Sequence, residues 1–302
     1  MYSIHSIIIF IIENELLFFR PLFGILLGMA IYQLIFSICL IVGSAAAPYS
    51  TIHVDGRGTI GTCTTQGFLL YVGFDVVHLY YCMFSFYFYV AIKNNFDLAK
   101  VKRVETYIHL FVPMYPLCTG IYLLIIGGFN YGGYGFCFVG SSPLMCEVSV
   151  DVPCERGTSK HGVYLFIHTV CVAFILIFPP IMVAYTYWYM KKHKGELLIE
   201  ANFALVKNFC YYIAGIYWIN LPFFLLELWI YTNWNAGPDF LINIYPFGLF
   251  AMGNYCLAGL WIVIGYKYYF WYARKLFRRI HQRPIQQQRG DDIQEDCSSE
   301  SS

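Results

Sequence analysis

Asp75 and His78 stand three residues apart in GTCTTQGFLLYVGFDVVHLYYCMFSFYFYVAIK, residues 61–93, a run that is otherwise mainly apolar and aromatic. At that spacing a carboxylate and an imidazole share one face of a helix, where they can exchange a proton, meet a cationic ligand group, or pair with each other. If the helix starts near Cys63, Asp75 lies roughly 18 Å along it at 1.5 Å per residue, deep in a bilayer. An ionisable side chain there is costly and faces the bundle interior or a wet cavity. The helix therefore reads as a central one, with Gln33, Asn220 and Asn254 as further polar partners. Ligand contact and a structural polar knot are both open readings of Asp75 and His78. The other acid within the apolar runs, Glu227, falls late in its run, beyond a kink expected at Pro222. It can meet a cationic ligand group or snorkel to water, and the second reading is preferred.

Other chemistry finds no foothold. His109, His161 and His168 are isolated on apolar backgrounds and not spaced as metal ligands, so no metal site is expected. The chain has neither H-E-x-x-H nor G-x-S-x-G nor a phosphate-binding glycine loop, which argues against an enzyme, and no cofactor is implied. A Schiff-base pigment needs a lysine in mid-helix, whereas Lys267 falls at the end of the last run.

What must position these residues is a set of membrane spans. With 59% hydrophobic and 12% charged residues among 302, the chain cannot be arranged as a water-soluble globule. Its 27 Tyr suit the membrane–water interface, where the ring is apolar and the hydroxyl wet. Ile4 to Ile12 is half a span and reads as the end of a truncated first helix. Pro21 to Gly43 is long enough to cross. After the central helix and a polar segment from Lys93 to Glu105 come Thr106 to Phe129, expected to kink at Pro113 and Pro116, and a glycine-rich loop from Asn130 to Lys160. Three further runs follow: Gly162 to Met190 with Pro179 and Pro180 inside it, Ala204 to Tyr231, and Phe240 to about Tyr269. The fold class is thus all-α, a polytopic transmembrane helical bundle with six full spans. It divides into 1–19 (stub and inner loop), 20–272 (the bundle) and 273–302 (basic juxtamembrane helix and disordered tail).

Lys and Arg set the orientation, because cytoplasmic loops carry them in excess. Lys93, Lys100, Lys102 and Arg103 fall in one loop, Lys191, Lys192, Lys194 and Lys207 in another, and a third group follows Lys267. The opposite side holds Arg57, Arg156 and Lys160. Cys63, Cys137, Cys146 and Cys154 then all lie on the outer, oxidising side, where disulfides persist. Four cysteines allow three pairings. The favoured one joins Cys63 to Cys137, tying the top of the central helix to the long outer loop, and Cys146 to Cys154.

This arrangement resembles a seven-transmembrane G protein-coupled receptor. The segments RPLFGILLGMAIYQLIFS, GTCTTQGF, HLFVPMYPL and FCFVGSSPLMCEVSVDVPCERG are similar to divergent protist receptors of diatoms and oomycetes, which share features with secretin-like and slime-mould cyclic-AMP-like receptors. Thr62 to Phe68 and Cys154 to Gly157 carry the most specific part of the likeness. The resemblance implies a plasma-membrane protein that binds an unidentified extracellular ligand and couples to a heterotrimeric G protein. Lys100, Lys102, Arg103, Lys191, Lys192 and Lys194 would form the rim of the coupling crevice. The partners are then the lipid bilayer, that G protein and the ligand, with no nucleic acid. Ala251, Gly253 and Leu257 stand where the family pattern has Pro, Gln and Asn, so a receptor that no longer signals is one alternative. A small-solute or ion transporter, with Asp75 and His78 as relays, is the other.

The Lys and Arg count predicts a cytoplasmic C-terminus. An epitope placed after Ser302 will bind antibody only in permeabilised cells, and labelling of intact cells would reverse the topology.

Overall fold

The computed structural model describes residues 20–49, 56–94, 98–131, 135–143, 146, 153–157 and 161–193, with further residues between 210 and 229 and between 246 and 254. Four long helices run alternately up and down: α1 (Arg20–Val42), α2 (Ile60–Lys93), α3 (Leu98–Ile125) and α4 (His161–Lys192). Among the described residues these four are long and apolar enough to cross a membrane. The chain is accordingly a helical membrane protein. Every described residue in 210–229 and 246–254 is also helical. The stub, the tail, Glu227, Asn220, Lys194 and Lys207 lie outside the described residues.

The central position expected for the Asp75 helix is the one that α2 occupies. Inside its most apolar stretch 78% of residues are buried, against 22–28% in α1, α3 and α4. It touches all three, while α1 and α3 also touch each other. Lipid tails are as apolar as Leu, so between such helices packing and polar contacts replace the hydrophobic drive. Tyr71, Val76, Tyr80, Phe84 and Phe88 of α2 pack with Ile25 and Met29 of α1, and with Ile108, Val112 and Leu123 of α3. In a second cluster Leu70, Phe74 and Cys82 meet Phe36, Ile175 and Phe224.

Local chemistry sets the helix ends. Thr59 caps α2: its Oγ1 accepts from the Thr62 amide at 3.2 Å, and Thr62 Oγ1 accepts from the Thr59 amide at 2.7 Å. This reciprocal box satisfies two donors that a helix start leaves open. The Thr62 hydroxyl also donates to the Ala46 carbonyl at 2.8 Å, binding the start of α2 to the 3-10 turn Gly43–Ala46 that ends α1.

Three expectations change. The segment from Lys93 to Glu105 is not a polar loop, because α3 begins at Leu98 and carries Lys100, Lys102, Arg103 and Glu105 in its first turns. Val101 and Ile108 are buried two turns apart on one face, so an apolar stripe holds the helix together beneath its exposed charges. Glu105 thereby joins Asp75 as an acid within a spanning helix. Next, α3, with Pro113 and Pro116 inside it, stops at Ile125 and not at Phe129, ahead of Gly127 with φ +66°. Finally, the stretch after α3 is not wholly loop, and the fold is not purely α. Phe129–Tyr131 (β1) and Cys137–Val139 (β2) pair antiparallel, with Phe129 opposite Val139, Asn130 opposite Phe138 and Tyr131 opposite Cys137. Aromatic and β-branched residues on either side of a glycine-rich turn are a hairpin pattern. Asn130 Nδ2 closes the base by donating to the Gly127 and Gly140 carbonyls at 2.8 and 2.7 Å.

Both favoured disulfides form, Cys63 to Cys137 with Cα atoms 5.3 Å apart and Cys146 to Cys154 with 5.1 Å. One turn below Cys63, Gln66 is buried and makes three hydrogen bonds. Its Nε2 donates to the Cys39 and Gly43 carbonyls at 2.9 and 2.8 Å, and its Oε1 accepts from the Cys137 amide at 2.9 Å. Leaving one buried partner unmet costs about 1–3 kcal/mol. Gln66→Leu will lower the unfolding midpoint of the purified protein by about 5 °C in a thermal scan, more than Thr65→Ala at the exposed neighbouring site.

Candidate functional site

The site is one face of α2. Tyr71, Asp75, His78, Cys82, Ser85 and Tyr89 recur three or four residues apart, which is one stripe of a helix, and all six are buried. The sequence reading singled out two members of this stripe. The structure extends it along most of the helix, from the Cys63 end towards Lys93.

The Tyr71 hydroxyl donates to Thr119 Oγ1 on α3 at 2.8 Å. Asp75 is 1% exposed and His78 2%. His78 places Nδ1 2.7 Å from the Phe74 carbonyl. A carbonyl only accepts, so Nδ1 carries the hydrogen and Nε2 is the atom at which this ring gains or loses a proton. The imidazole lies against Phe74, with centroids 4.4 Å apart, and meets Phe224 edge to face at 5.3 Å. Towards the other end the Tyr89 ring contacts Tyr185 and Tyr189 of α4 at 5.0 and 5.9 Å, with Lys93 Nζ 6.0 Å from its centroid. The stripe thus combines a carboxylate, an imidazole and aromatic walls. It can hold a proton, or contact a cationic or aromatic group, at mid-membrane depth.

Tyrosines act here in a way the composition did not reveal. Besides Tyr71, the Tyr81 hydroxyl donates to the Ile213 carbonyl at 2.8 Å, and Tyr217 donates to the Leu176 carbonyl at 3.1 Å. Leu176 precedes Pro180 by four residues, and proline has no N–H to close that turn of α4. Tyr217 supplies the missing donor, which is how a membrane helix tolerates an interior proline. Tyr at the interface was the expectation from amino-acid usage, yet Tyr71, Tyr80, Tyr81 and Tyr87 are all at most 3% exposed. The available signal was their position within the central run, not at its ends.

Above the stripe, the segments Thr62 to Phe68 and Cys154 to Gly157 meet. In Thr62 to Phe68, Cys63 is bridged to Cys137 and Gln66 holds the Cys137 amide. Gly67 packs so closely on Phe129 that an added methyl would lie 3.0 Å from its ring. In Cys154 to Gly157, Arg156 Nη2 reaches Thr64 Oγ1 at 3.5 Å, while its backbone pairs with Ser142. Tyr131 flanks the disulfide, and burial pushes its phenol up, partly offset by a hydrogen bond with the Gly135 backbone.

The remaining candidates separate by position. Lys100, Lys102, Arg103, Lys191 and Lys192 are exposed at the Lys93 end. Lys192 Nζ stands over the Trp188 ring at 5.2 Å. Gln33 accepts a hydrogen bond at its backbone carbonyl from Ser37, and Asn254 is half-buried. Among the described residues no three His, Cys, Asp or Glu side chains come together as metal ligands would. No protein-family model matches the chain, and no curated protein matches it.

Histidine-labelled protein will show by ¹⁵N NMR the hydrogen-bonded Nδ1–H of His78 and of His193, whose Nδ1 stands 2.9 Å from the Tyr189 carbonyl, and His78→Gln will remove the first of these signals while leaving the second. A His78 ring in the Nε2–H form would refute the geometry.

Proposed function

We propose that the protein is a G protein-coupled receptor-like transducer of the plasma membrane, with the α2 stripe facing the ligand route and the basic helix ends facing the cytoplasm. The observation that carries this reading is the Cys63–Cys137 bridge. It runs from the first turn of the most buried helix to the hairpin between α3 and α4, and fixes a lid of chain over the end of the bundle from which a ligand would enter. Asp75 and His78 lie three to four turns further in. A ligand with a cationic or hydrogen-bonding group could be sensed there through a change in α2 packing.

Lys100, Lys102 and Arg103 support the second half of the proposal. They are exposed on the first turns of α3, beside the end of α2, where movement of the central helix would be felt by a bound G protein. The bilayer imposes inner positive charge on any membrane protein, so these charges orient the chain as well as offering a rim.

In cell membranes containing a heterotrimeric G protein, a panel of cationic, aromatic and peptide ligands will identify one that stimulates nucleotide exchange. Gln at Lys100, Lys102 and Arg103 together will then abolish exchange with surface expression and ligand binding intact. Asp75→Asn will weaken ligand binding instead. Exchange unchanged in the triple variant would sink the coupling role. Solute uptake by proteoliposomes that Asp75→Asn abolishes would favour a transporter.

A further inference from the structure

A second polar cluster lies where α1, α2 and α3 meet, apart from Asp75 and His78. His109 of α3 has Nδ1 2.8 Å from the Tyr80 hydroxyl of α2. Its Nε2 is 3.7 Å from Oε1 of Glu105, one turn back on α3. The third wall is glycine. A methyl on Gly24 of α1 would collide with Glu105 Oε1, and one on Gly28 would stand 3.1 Å from the Tyr80 oxygen and 3.2 Å from His109 Cε1. Gly24 and Gly28, four apart in GILLG, make the small-residue notch that lets membrane helices approach closely. Here the notch receives the side chains of Glu105 and His109.

The other titratable or charged groups facing the cluster are Tyr32 of α1, whose ring centroid is 6.2 Å from that of Tyr80, and Lys102, which acts on Glu105 from its own helix. Glu105 and His109 side chains are 15% and 34% exposed, and Glu105 lies two residues beyond the exposed Arg103 at the charged start of α3, the end from which a proton can reach the cluster.

A carboxylate and an imidazole in contact titrate as a pair. With one proton between them the pair has no net charge, whether that proton sits on the acid or on the ring. Tyr80 can donate to a bare Nδ1 or accept from a protonated one, so its bond survives both arrangements. Removing the proton leaves a carboxylate against a neutral ring in a poorly solvated notch, where a lone charge is costly.

We propose that Tyr80, His109 and Glu105 form a proton-operated latch that holds α3 against the Gly24–Gly28 notch while one proton is shared and loosens when that proton leaves. Lys100, Lys102 and Arg103 lie within two turns of Glu105, so the latch sets how firmly the basic start of α3 is held. It stands whether or not the protein is a receptor.

A double-variant cycle on the full chain in lipid nanodiscs tests this, since it cancels the titration of other groups. Unfolding midpoints are measured for the wild type, Glu105→Gln, His109→Gln and the double variant at pH 6 and pH 9. At pH 6 the two single shifts will fail to add by about 2–4 °C, and at pH 9 they will add. Additive shifts at both pH values, or the same coupling at both, overturn the latch. If His109→Gln does not fold, amide exchange over residues 105–112 replaces the cycle. Corrected for intrinsic rates, protection in the wild type will fall about tenfold from pH 6 to pH 9, and Glu105→Gln will abolish that difference. An undiminished difference in Glu105→Gln overturns the proposal.

Discussion

The three hydrogen bonds of Gln66 join three pieces of chain at one point. They reach the last turns of α1, the first turns of α2 and strand β2, all beside a disulfide. A glutamine suits the position because it offers two donors and an acceptor on a single planar group, and a carboxylate would leave the Cys39 and Gly43 carbonyls facing negative charge. With that end fixed, α2 is committed to the centre of the bundle, and the stripe below it is buried by the helices that gather round.

The same demand recurs at each level. In a bilayer, backbone groups freed by proline or by a helix end have no water to turn to. Tyr217 answers the carbonyl exposed by Pro180, Thr62 the carbonyl of Ala46, and Asn130 those of Gly127 and Gly140. Single interhelical hydrogen bonds in membranes average only about 0.6 kcal/mol, so none of these dominates stability. Their value lies in register, because each fixes one named carbonyl or pair of carbonyls against the side chain that answers it.

Much of this was legible in the sequence because the bilayer reads composition over long windows. Four of the six expected spans and the central place of the Asp75 helix follow from length, charge and position, whereas the disulfide pairing that forms was the favoured one of three. The start of α3 was not legible, since exposed charges at Lys100, Lys102 and Arg103 masked the apolar period of Val101 and Ile108. The strands escaped because three-residue strands beside glycines hardly differ from loop. At the candidate site, Asp75 and His78 announced themselves as charge in an apolar run. Tyr71, Ser85 and Tyr89 did not, being ordinary members of an aromatic segment until their common face was visible. Glu105 and His109 were hidden for a different reason: their significance depends on Gly24 and Gly28, some 80 residues earlier, and on a packing no local pattern specifies.

The Cys63–Cys137 bridge has a sequence separation of 74, and that interval contains α3 whole and all of α2 beyond its first turn. During synthesis Cys63 therefore waits as a thiol until both helices have left the ribosome and crossed back through the translocon. Cys137 emerges 9 and 17 residues before Cys146 and Cys154, so Cys63 meets three candidate partners in close succession. Pairing the two nearest cysteines with each other, Cys146 with Cys154, removes the competitors. Closing Cys146 onto Cys154, at a sequence separation of 8, thus leaves the long-range bond a single partner.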